Sequence, residues 1–274
     1  MKRDKRIMLK SVDIPVSDEG RYDVSTSLSL PGRPARLNEI VVSSLINEVV
    51  SGNLVVGSSL PPEQILCEDF KVSRSVVRES VKLLEEKGLI VARQGQGTTV
   101  QPVDHWNLLD PLVLDAYIRN DRSLSIFDDL IEVRAALESQ IVIRAATRLS
   151  QDQLEELHAR VLELESLLED PPNYATADVA YHDLIARFSG HLMARSILRT
   201  VQPVALANTY YGRTHRSRDD NLRSHDGHVR IYEALVKRDP IEAARAVEDH
   251  IIGSWEIYKR SLFESKASSS QDES

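Results

Sequence analysis

The chain has 274 residues, of which 42% are hydrophobic and 28% charged, a mixture typical of a globular protein with room for two domains. Its net charge of -8 excludes a protein that coats nucleic acid along its whole length, so any DNA contact must be local. A single cysteine, Cys67, excludes an intramolecular disulfide, and no apolar run is long enough for a membrane span. We therefore expect a soluble, cytoplasmic protein.

The first 33 residues mix charged residues with serine, glycine and proline and show no sustained periodicity, so they predict a flexible arm. Four basic residues of this arm can contact DNA nonspecifically, although a solubilising role explains them as well: Lys2, Arg3, Lys5 and Arg6. From Arg36 to Val50, apolar residues repeat at every fourth position and predict the first helix. Gly52 ends it.

A second, short helix is predicted from Glu63 to Phe70, directly after Pro61-Pro62. It is followed by a tight turn, Lys71-Val72-Ser73, and by a third helix for which Ser73 is the predicted N-cap and Gly88 the stop signal. This spacing is typical of a helix-turn-helix.

The third helix has one apolar face and one basic face. Its predicted core positions are Val76, Val77, Ser80, Leu83 and Leu84, and its basic positions are Arg74, Arg78 and Lys82. Residues 71–93 hold six Lys and Arg against three Asp and Glu. A solvated surface face explains this charge equally well until the next segment is considered.

Two β-prone stretches, residues 89–91 and 98–100, flank a glycine-rich tip at residues 94–97. They predict a hairpin whose tip, near Gly95, can approach a phosphate closely. A helix-turn-helix followed by such a wing is a DNA-binding arrangement.

After Val100 no strand signal is convincing, and the pattern predicts a second domain made only of helices. The predicted helices are approximately Pro111–Arg119, Ile126–Leu149, Gln151–Glu169, Ala175–Phe188, Leu192–Tyr211, Asp219–Lys237 and Pro240–Leu262. The fold is thus mainly α, with an N-terminal winged helix-turn-helix and a C-terminal antiparallel helical bundle. The predicted segments are an arm (1–33), a DNA-binding domain (34–101), a linker (102–105), a helical domain (106–262) and a disordered tail (263–274).

Four residues of the helical domain form a candidate metal site. Asp178 and His182 are separated by one helical turn. His228 and His250 each lie eleven residues from position 239, so an antiparallel hairpin turning there places them at the same height. Three imidazoles and one carboxylate suit Zn²⁺, with Ni²⁺ or Mn²⁺ as alternatives. His225 is a possible substitute ligand.

Arginine is the other side chain that an anionic ligand would use in this domain. The candidates are Arg134, within a long apolar helix, and Arg213, the first of several arginines between residues 213 and 230. The second group is explained equally well as a solvated loop.

These residues resemble those of a GntR-family transcription regulator of the subfamily with a C-terminal ligand-sensing FCD domain. The resemblance spans residues 36–262. It rests on Leu60-Pro61-Pro62-Glu63, on residues 72–79, on Gly88-Leu89-Ile90 and Gly95-Gln96-Gly97-Thr98, on residues 132–138, on Asp178 with His182, on His228 with Ile231 and Glu233-Ala234-Leu235, and on Asp249-His250. Residues 106–110 are similar to a stretch in members that respond to sugar acids such as galactonate.

The resemblance implies a homodimer that binds a pseudo-palindromic, double-stranded DNA operator and responds to a small carboxylate. It also implies that Arg74 and Arg78 reach DNA, that the wing at Gly95 follows the groove, and that Asp178, His182, His228 and His250 hold the metal. We further expect DNA contacts from Ser73, Ser75 and Arg36. The chain departs from the family at Gln64, where a basic residue is usual, and at His191, where asparagine is frequent.

Two other functions fit the same residues. An Asp and His set with an open position can activate water, which would make the chain a metalloenzyme, although no further carboxylate suggests a general base. The metal itself can also be the signal, or a structural element. The winged helix would have no purpose in an enzyme, and the leading hypothesis is a repressor that leaves DNA when an organic acid, with a sugar acid favoured, binds.

Overall fold

The computed structural model describes residues 33–93, 95, 97–121, 123–208 and 217–269, without the side chains of 33–36, 205–208, 258 and 261–269. The chain divides into two compact units between Asn107 and Leu108. The basic residues of the N-terminal arm, Arg213 and the side chain of Arg36 lie outside this description. None of the described helices has both the length and the apolar character needed to cross a bilayer.

The described part of the first unit contains three α-helices, a two-stranded sheet and, near its end, a short 3-10 helix. The α-helices and strands are α1 (Arg33–Val50), α2 (Glu63–Phe70), α3 (Arg74–Glu86), β1 (Ile90–Arg93) and β2 (Gly97–Val100). The strands are antiparallel, with Ile90 paired to Val100 and Arg93 to Gly97. This arrangement confirms the predicted winged helix-turn-helix.

The core of the first unit forms where α3 packs against α1. Val77 and Leu84 on α3 are completely buried, as is Ile46 on α1. Ser80 lies on the same face and donates a hydrogen bond to Asn38 Oδ1 at 2.5 Å. Because this face is used for packing, the basic face of α3 is turned to solvent.

The turn before α3 differs from its prediction in one respect. Lys71 has a left-handed backbone, with φ of 53°, and ends α2. Ser73 occupies the predicted N-cap position, but its side chain does not make the expected capping hydrogen bond. Its hydroxyl lies instead 2.9 Å from that of Ser75, and the two hydroxyls satisfy one another.

Gly88 connects α3 to the hairpin in a conformation that no other residue fits. Its φ is 77°, and a Cβ atom there would lie 2.0 Å from the carbonyl oxygen of His105. We expect Gly88→Ala to destabilise the first unit by about 2 kcal/mol or more, because left-handed strain and a backbone clash add together. Hydrogen–deuterium exchange of β1 and β2 in the full chain measures the effect.

Gly52 provides the matched control. Its φ is 80°, but a Cβ atom there would meet no atom within 4 Å. Gly52→Ala therefore carries the conformational strain alone, and we expect a smaller loss of protection. Equal losses in the two variants would show that the approach to His105 contributes nothing.

Seven helices make up the described part of the second unit. They are α4 (Pro111–Asn120), α5 (Ser125–Ala146), α6 (Gln151–Ser166), α7 (Pro171–Ser189), α8 (Leu192–Asn208), α9 (Arg218–Val236) and α10 (Pro240–Ser269). A short 3-10 helix, Val103–His105, lies in the segment predicted as the linker. Helix α10 continues to Ser269, past residue 262, where the sequence predicts the tail to begin.

Local signals fix where these helices start. Asp110 and Asp170 each cap a helix that has proline at its first position, while Ser150 and Ser217 form capping boxes with the residue three positions later. The main core is formed by α5, α6, α7, α9 and α10, with α5 and α9 packed against α10. The bundle therefore brings residues from distant parts of the chain to one interior.

Candidate metal centre and nucleic-acid interface

The four predicted metal ligands meet in the interior of the second unit. Asp178 and His182 project from α7, His228 from α9 and His250 from α10. All four are buried, and one nitrogen or oxygen atom from each lies within 4.8 Å of the other three. The turn at residues 237–239 joins α9 to α10 and places His228 beside His250, as their equal distance from residue 239 predicts.

The distances between these atoms fit a metal ligand set. His182 Nε2 lies 3.3 Å from both His228 Nε2 and His250 Nε2, and His228 Nε2 lies 3.0 Å from Asp178 Oδ1. Tetrahedral zinc with nitrogen and oxygen ligands has ligand atoms about 3.3 Å apart. Although His228 Nε2 lies 3.0 Å away, Asp178 Oδ1 is buried and makes no hydrogen bond among the described residues. A buried carboxylate oxygen without a partner is what a metal would occupy.

The electrostatics of the cluster favour the protonation states that bind metal. Burial lowers the pKa of His250 well below its usual value, and His228 and His182 lower it further, so this imidazole is neutral. Burial acts to raise the pKa of Asp178, but the neighbouring His228 outweighs it and holds that pKa well below the usual range. A neutral imidazole at His250 and an ionised carboxylate at Asp178 are ligand forms that divalent metals require.

Glu138, on α5, contacts His182 at Nδ1, the ring nitrogen that does not face the other candidate ligands. Its Oε2 lies 2.5 Å from Nδ1 of His182, and its Oε1 accepts a hydrogen bond from Nε of Arg134 at 2.6 Å. Burial acts to raise the pKa of Glu138, but His182 and Arg134 hold it at about 2. An ionised carboxylate on Nδ1 leaves Nε2 as the metal-binding nitrogen of His182. The sequence motif contains Glu138, but sequence reasoning gave it no role.

Two buried tyrosines contact His228. The Tyr174 hydroxyl lies 3.3 Å from its Nδ1, and the Tyr181 hydroxyl donates to its backbone carbonyl at 3.1 Å. Burial raises the pKa of Tyr181, so this hydroxyl stays neutral and remains a donor. These contacts fix the His228 ring with Nε2 towards the other ligands.

Gly227 lets α10 approach α9 closely enough for His250 to reach the cluster. A Cβ atom at this position would lie 2.4 Å from Nδ1 of His250 and 3.0 Å from its Cγ. We expect Gly227→Ala to push the His250 ring out of place and weaken zinc binding by roughly 10- to 100-fold, the range seen when support of a ligand is lost. Competition with a chromogenic chelator measures the affinity.

Gly253 on α10 is the matched control, because a Cβ atom there would meet nothing within 4 Å. Gly253→Ala exchanges the same residues in a helix, where alanine is the better helix former. We expect it to keep the zinc affinity of the wild type. If Gly227→Ala also keeps that affinity, the close approach has no part in placing His250.

The remaining candidate ligands are not part of the group. His225 is buried on α9, but it does not belong to the described cluster. Arg134, the predicted effector residue, has a side chain only 14% exposed and is held by Glu138. Through Glu138, Arg134 is therefore linked to His182, one of the candidate metal ligands.

Five of the six predicted DNA-contact residues are described in the first unit, and all five are exposed. Ser73, Arg74, Ser75 and Arg78 are exposed at the start of α3, and Gly95 is exposed at the tip of the hairpin, where its φ is 77°. Arg78 Nε lies 2.9 Å from Glu63 Oε2 on α2. In a helix-turn-helix, the recognition helix, here α3, enters the major groove with its N-terminal end.

Comparison with known proteins gives matches to both units. Residues 37–100 match the gntR family of bacterial regulatory proteins, and residues 129–253 match the FCD domain. The Escherichia coli galactonate operon transcriptional repressor is 28% identical over 72% of this chain and 91% of its own length. The Escherichia coli Glc operon transcriptional activator is 28% identical over 78% of this chain and 85% of its own length.

A solved structure of Lar, described as controlling expression of the Listeria monocytogenes agr system, has the same fold. Its TM-score is 0.53 at 20% identity, over 82% of this chain and 97% of that one. The two family matches and the regulatory relatives identify a DNA-binding transcription regulator and not an enzyme, which removes the metalloenzyme alternative. The chain belongs to the GntR family of bacterial regulatory proteins, in the group whose second domain is an FCD domain.

Proposed function

We propose that this protein is a homodimeric repressor that leaves its operator when a small organic acid, with a sugar acid favoured, binds beside a Zn²⁺ ion. The observation that carries the proposal is the buried group of Asp178, His182, His228 and His250. A divalent ion held there would offer a Lewis-acidic position to a carboxylate oxygen.

Arg134 is the proposed partner of the effector's carboxylate within the described residues. Its guanidinium lies next to Glu138, which in turn contacts the ligand His182. An arginine this close to a metal ligand can pair with an acid that also approaches the metal. Arg213 stays a prediction from the sequence.

Repression and the sugar-acid effector are both supported by one relative, the galactonate operon repressor. The Glc operon activator is equally similar, so the sign of regulation belongs to the proposal. For release, the acid must bind the DNA-incompetent arrangement more tightly than the DNA-bound one, because equal affinities shift no equilibrium.

Fluorescence anisotropy with operator DNA tests the proposal. The protein is prepared without metal and with zinc, and each form is titrated with galactonate, glycolate or no acid. We expect acid to weaken DNA binding only in the zinc-loaded protein. A change on adding zinc alone would favour the alternative in which the metal is the signal. Indifference to every combination would refute the effector site.

The DNA interface gives a separate prediction at Arg78. This side chain is 71% exposed on the predicted recognition helix, although Glu63 holds it in the absence of DNA. We expect Arg78→Ala to weaken operator binding by roughly 1–3 kcal/mol if Arg78 reads a base, or to reduce the salt slope by about 1 if it contacts phosphate. Anisotropy titrations at several salt concentrations distinguish these outcomes.

Arg160→Ala is the control for charge. Arg160 is exposed on α6 and pairs with Glu163, so its removal changes the net charge equally but in the other unit. We expect operator affinity and salt slope to be those of the wild type. Unchanged binding by Arg78→Ala would remove Arg78 from the interface.

A further inference from the structure

Helix α9 carries three buried polar side chains that each have an atom without a hydrogen-bond partner among the described residues. Asn221 Oδ1, Ser224 Oγ and His225 Nδ1 have no hydrogen-bond partner among the described residues. Asn221 is 0%, Ser224 3% and His225 7% exposed, so bulk water does not satisfy them. Buried polar groups in folded proteins are normally paired, and three such atoms on one helix call for an explanation.

These residues share a face of α9 with the metal ligand His228. Positions 221, 224, 225 and 228 follow the spacing of one side of a helix, and all four are buried. Along the helix axis, His225, Ser224 and Asn221 precede His228 by about 4.5, 6 and 10 Å, from a rise of about 1.5 Å per residue. Helical side chains lean towards the N-terminus, so His228 leans towards these three residues.

Hydrogen bonds that such side chains usually make within or near their own helix do not account for these unpaired atoms. A buried helical serine usually returns its hydroxyl to its own helix, as Ser189 does to the carbonyl of Ala186 at 2.8 Å. Ser224 makes no such bond. Asn221 donates its amide to the carbonyl of Leu168 at 2.9 Å, which fixes the amide orientation and leaves Oδ1 as an unused acceptor.

We infer that this polar stripe, Asn221, Ser224 and His225, binds the hydroxyl groups of a polyhydroxy acid whose carboxylate end lies at the metal group. The inference rests on the proposed function and names the class of acid. A hydroxyl both donates and accepts, so it can pair with an amide oxygen, another hydroxyl or either state of an imidazole nitrogen. An acyl chain would leave all three atoms unpaired, and a two-carbon acid would stop short of Ser224.

Calorimetric titration of the zinc-loaded full chain tests the inference, with galactonate and gluconate as six-carbon acids and glycolate as the two-carbon acid. We expect Ser224→Ala and His225→Phe each to weaken binding of a six-carbon acid roughly tenfold, the scale of one lost hydrogen bond. Glycolate affinity and zinc affinity are expected to stay unchanged. Ser189→Ala removes a buried serine hydroxyl outside the stripe and should leave the ratio of the affinities unchanged.

The outcomes separate the inference from the function on which it rests. The inference is overturned, while the acid site stands, if the wild type binds glycolate and binds neither six-carbon acid more tightly than glycolate. It is also overturned if the variants weaken the binding of glycolate and of the six-carbon acids equally. In both cases ordered water fills the stripe. If the zinc-loaded wild type binds none of the three acids, both the acid site and the inference fail. Selective loss of the six-carbon acids supports both.

Discussion

Replacing His228 by alanine is expected to abolish tight zinc binding and the response of DNA binding to acids. His228 is completely buried, and its Nε2 lies within 3.3 Å of ligand atoms from both His182 and Asp178. Loss of a hydrogen-bond partner of a ligand already costs roughly 10- to 100-fold in metal affinity, and loss of the ligand itself costs more. Metal analysis after dialysis, together with chelator competition, measures this loss.

His158→Ala is the matched histidine control. His158 is exposed on α6, where it stacks on Tyr232 at 5.2 Å, away from the metal group. This variant should keep its zinc and its response to acid. A His228→Ala protein that retains zinc at wild-type affinity would contradict the ligand set. His225, one turn earlier on the same helix, would then be the first substitute to examine.

The second large effect is expected at Glu138. Glu138→Gln keeps the size of the side chain but removes the charge that faces both Arg134 and His182. Breaking a buried ion pair costs about 3–5 kcal/mol, because the remaining charge stays buried after it has lost the opposite charge beside it. We expect a clearly lower melting temperature and a zinc affinity reduced by roughly 10- to 100-fold, since His182 loses its carboxylate partner.

Glu163→Gln supplies the comparison on the surface. Glu163 pairs with Arg160 at 2.6 Å, but both side chains are more than 40% exposed. Exposed pairs contribute between about 0 and 1 kcal/mol, so neither the melting temperature nor the zinc affinity should change appreciably. If Glu138→Gln behaves like this control, Glu138 does not orient His182.

The sequence was informative wherever function depends on spacing along a helix or across a hairpin. Asp178 and His182 lie one turn apart, and His228 and His250 are equally distant from the turn that joins α9 to α10. Regular geometry converts such spacing directly into proximity. The winged helix-turn-helix was predictable for the same reason, since turns and glycines mark each of its elements.

Contacts that depend on packing between distant helices were not predictable. Glu138 precedes its partner His182 by 44 residues, and only the packing of α5 against α7 brings them together. Its one sequence signal was its position four residues after Arg134, one helical turn away. Ser73 is the N-cap residue as predicted, but its hydroxyl pairs with that of Ser75 and not with a backbone N–H of the first turn.

The origin of the metal ligands on three separate helices has a consequence for the life of the protein in a cell. His182 and His228 are 46 residues apart in the chain, and His250 follows 22 residues later, so the proposed ion could be held only when α7, α9 and α10 are docked. A ligand that binds the folded form alone stabilises it in proportion to the logarithm of its concentration. Proteases act on the opened form, so if zinc is the ion that this group binds, turnover of the regulator should accelerate when zinc becomes scarce. Zinc supply would thereby set how many copies are present to bind DNA.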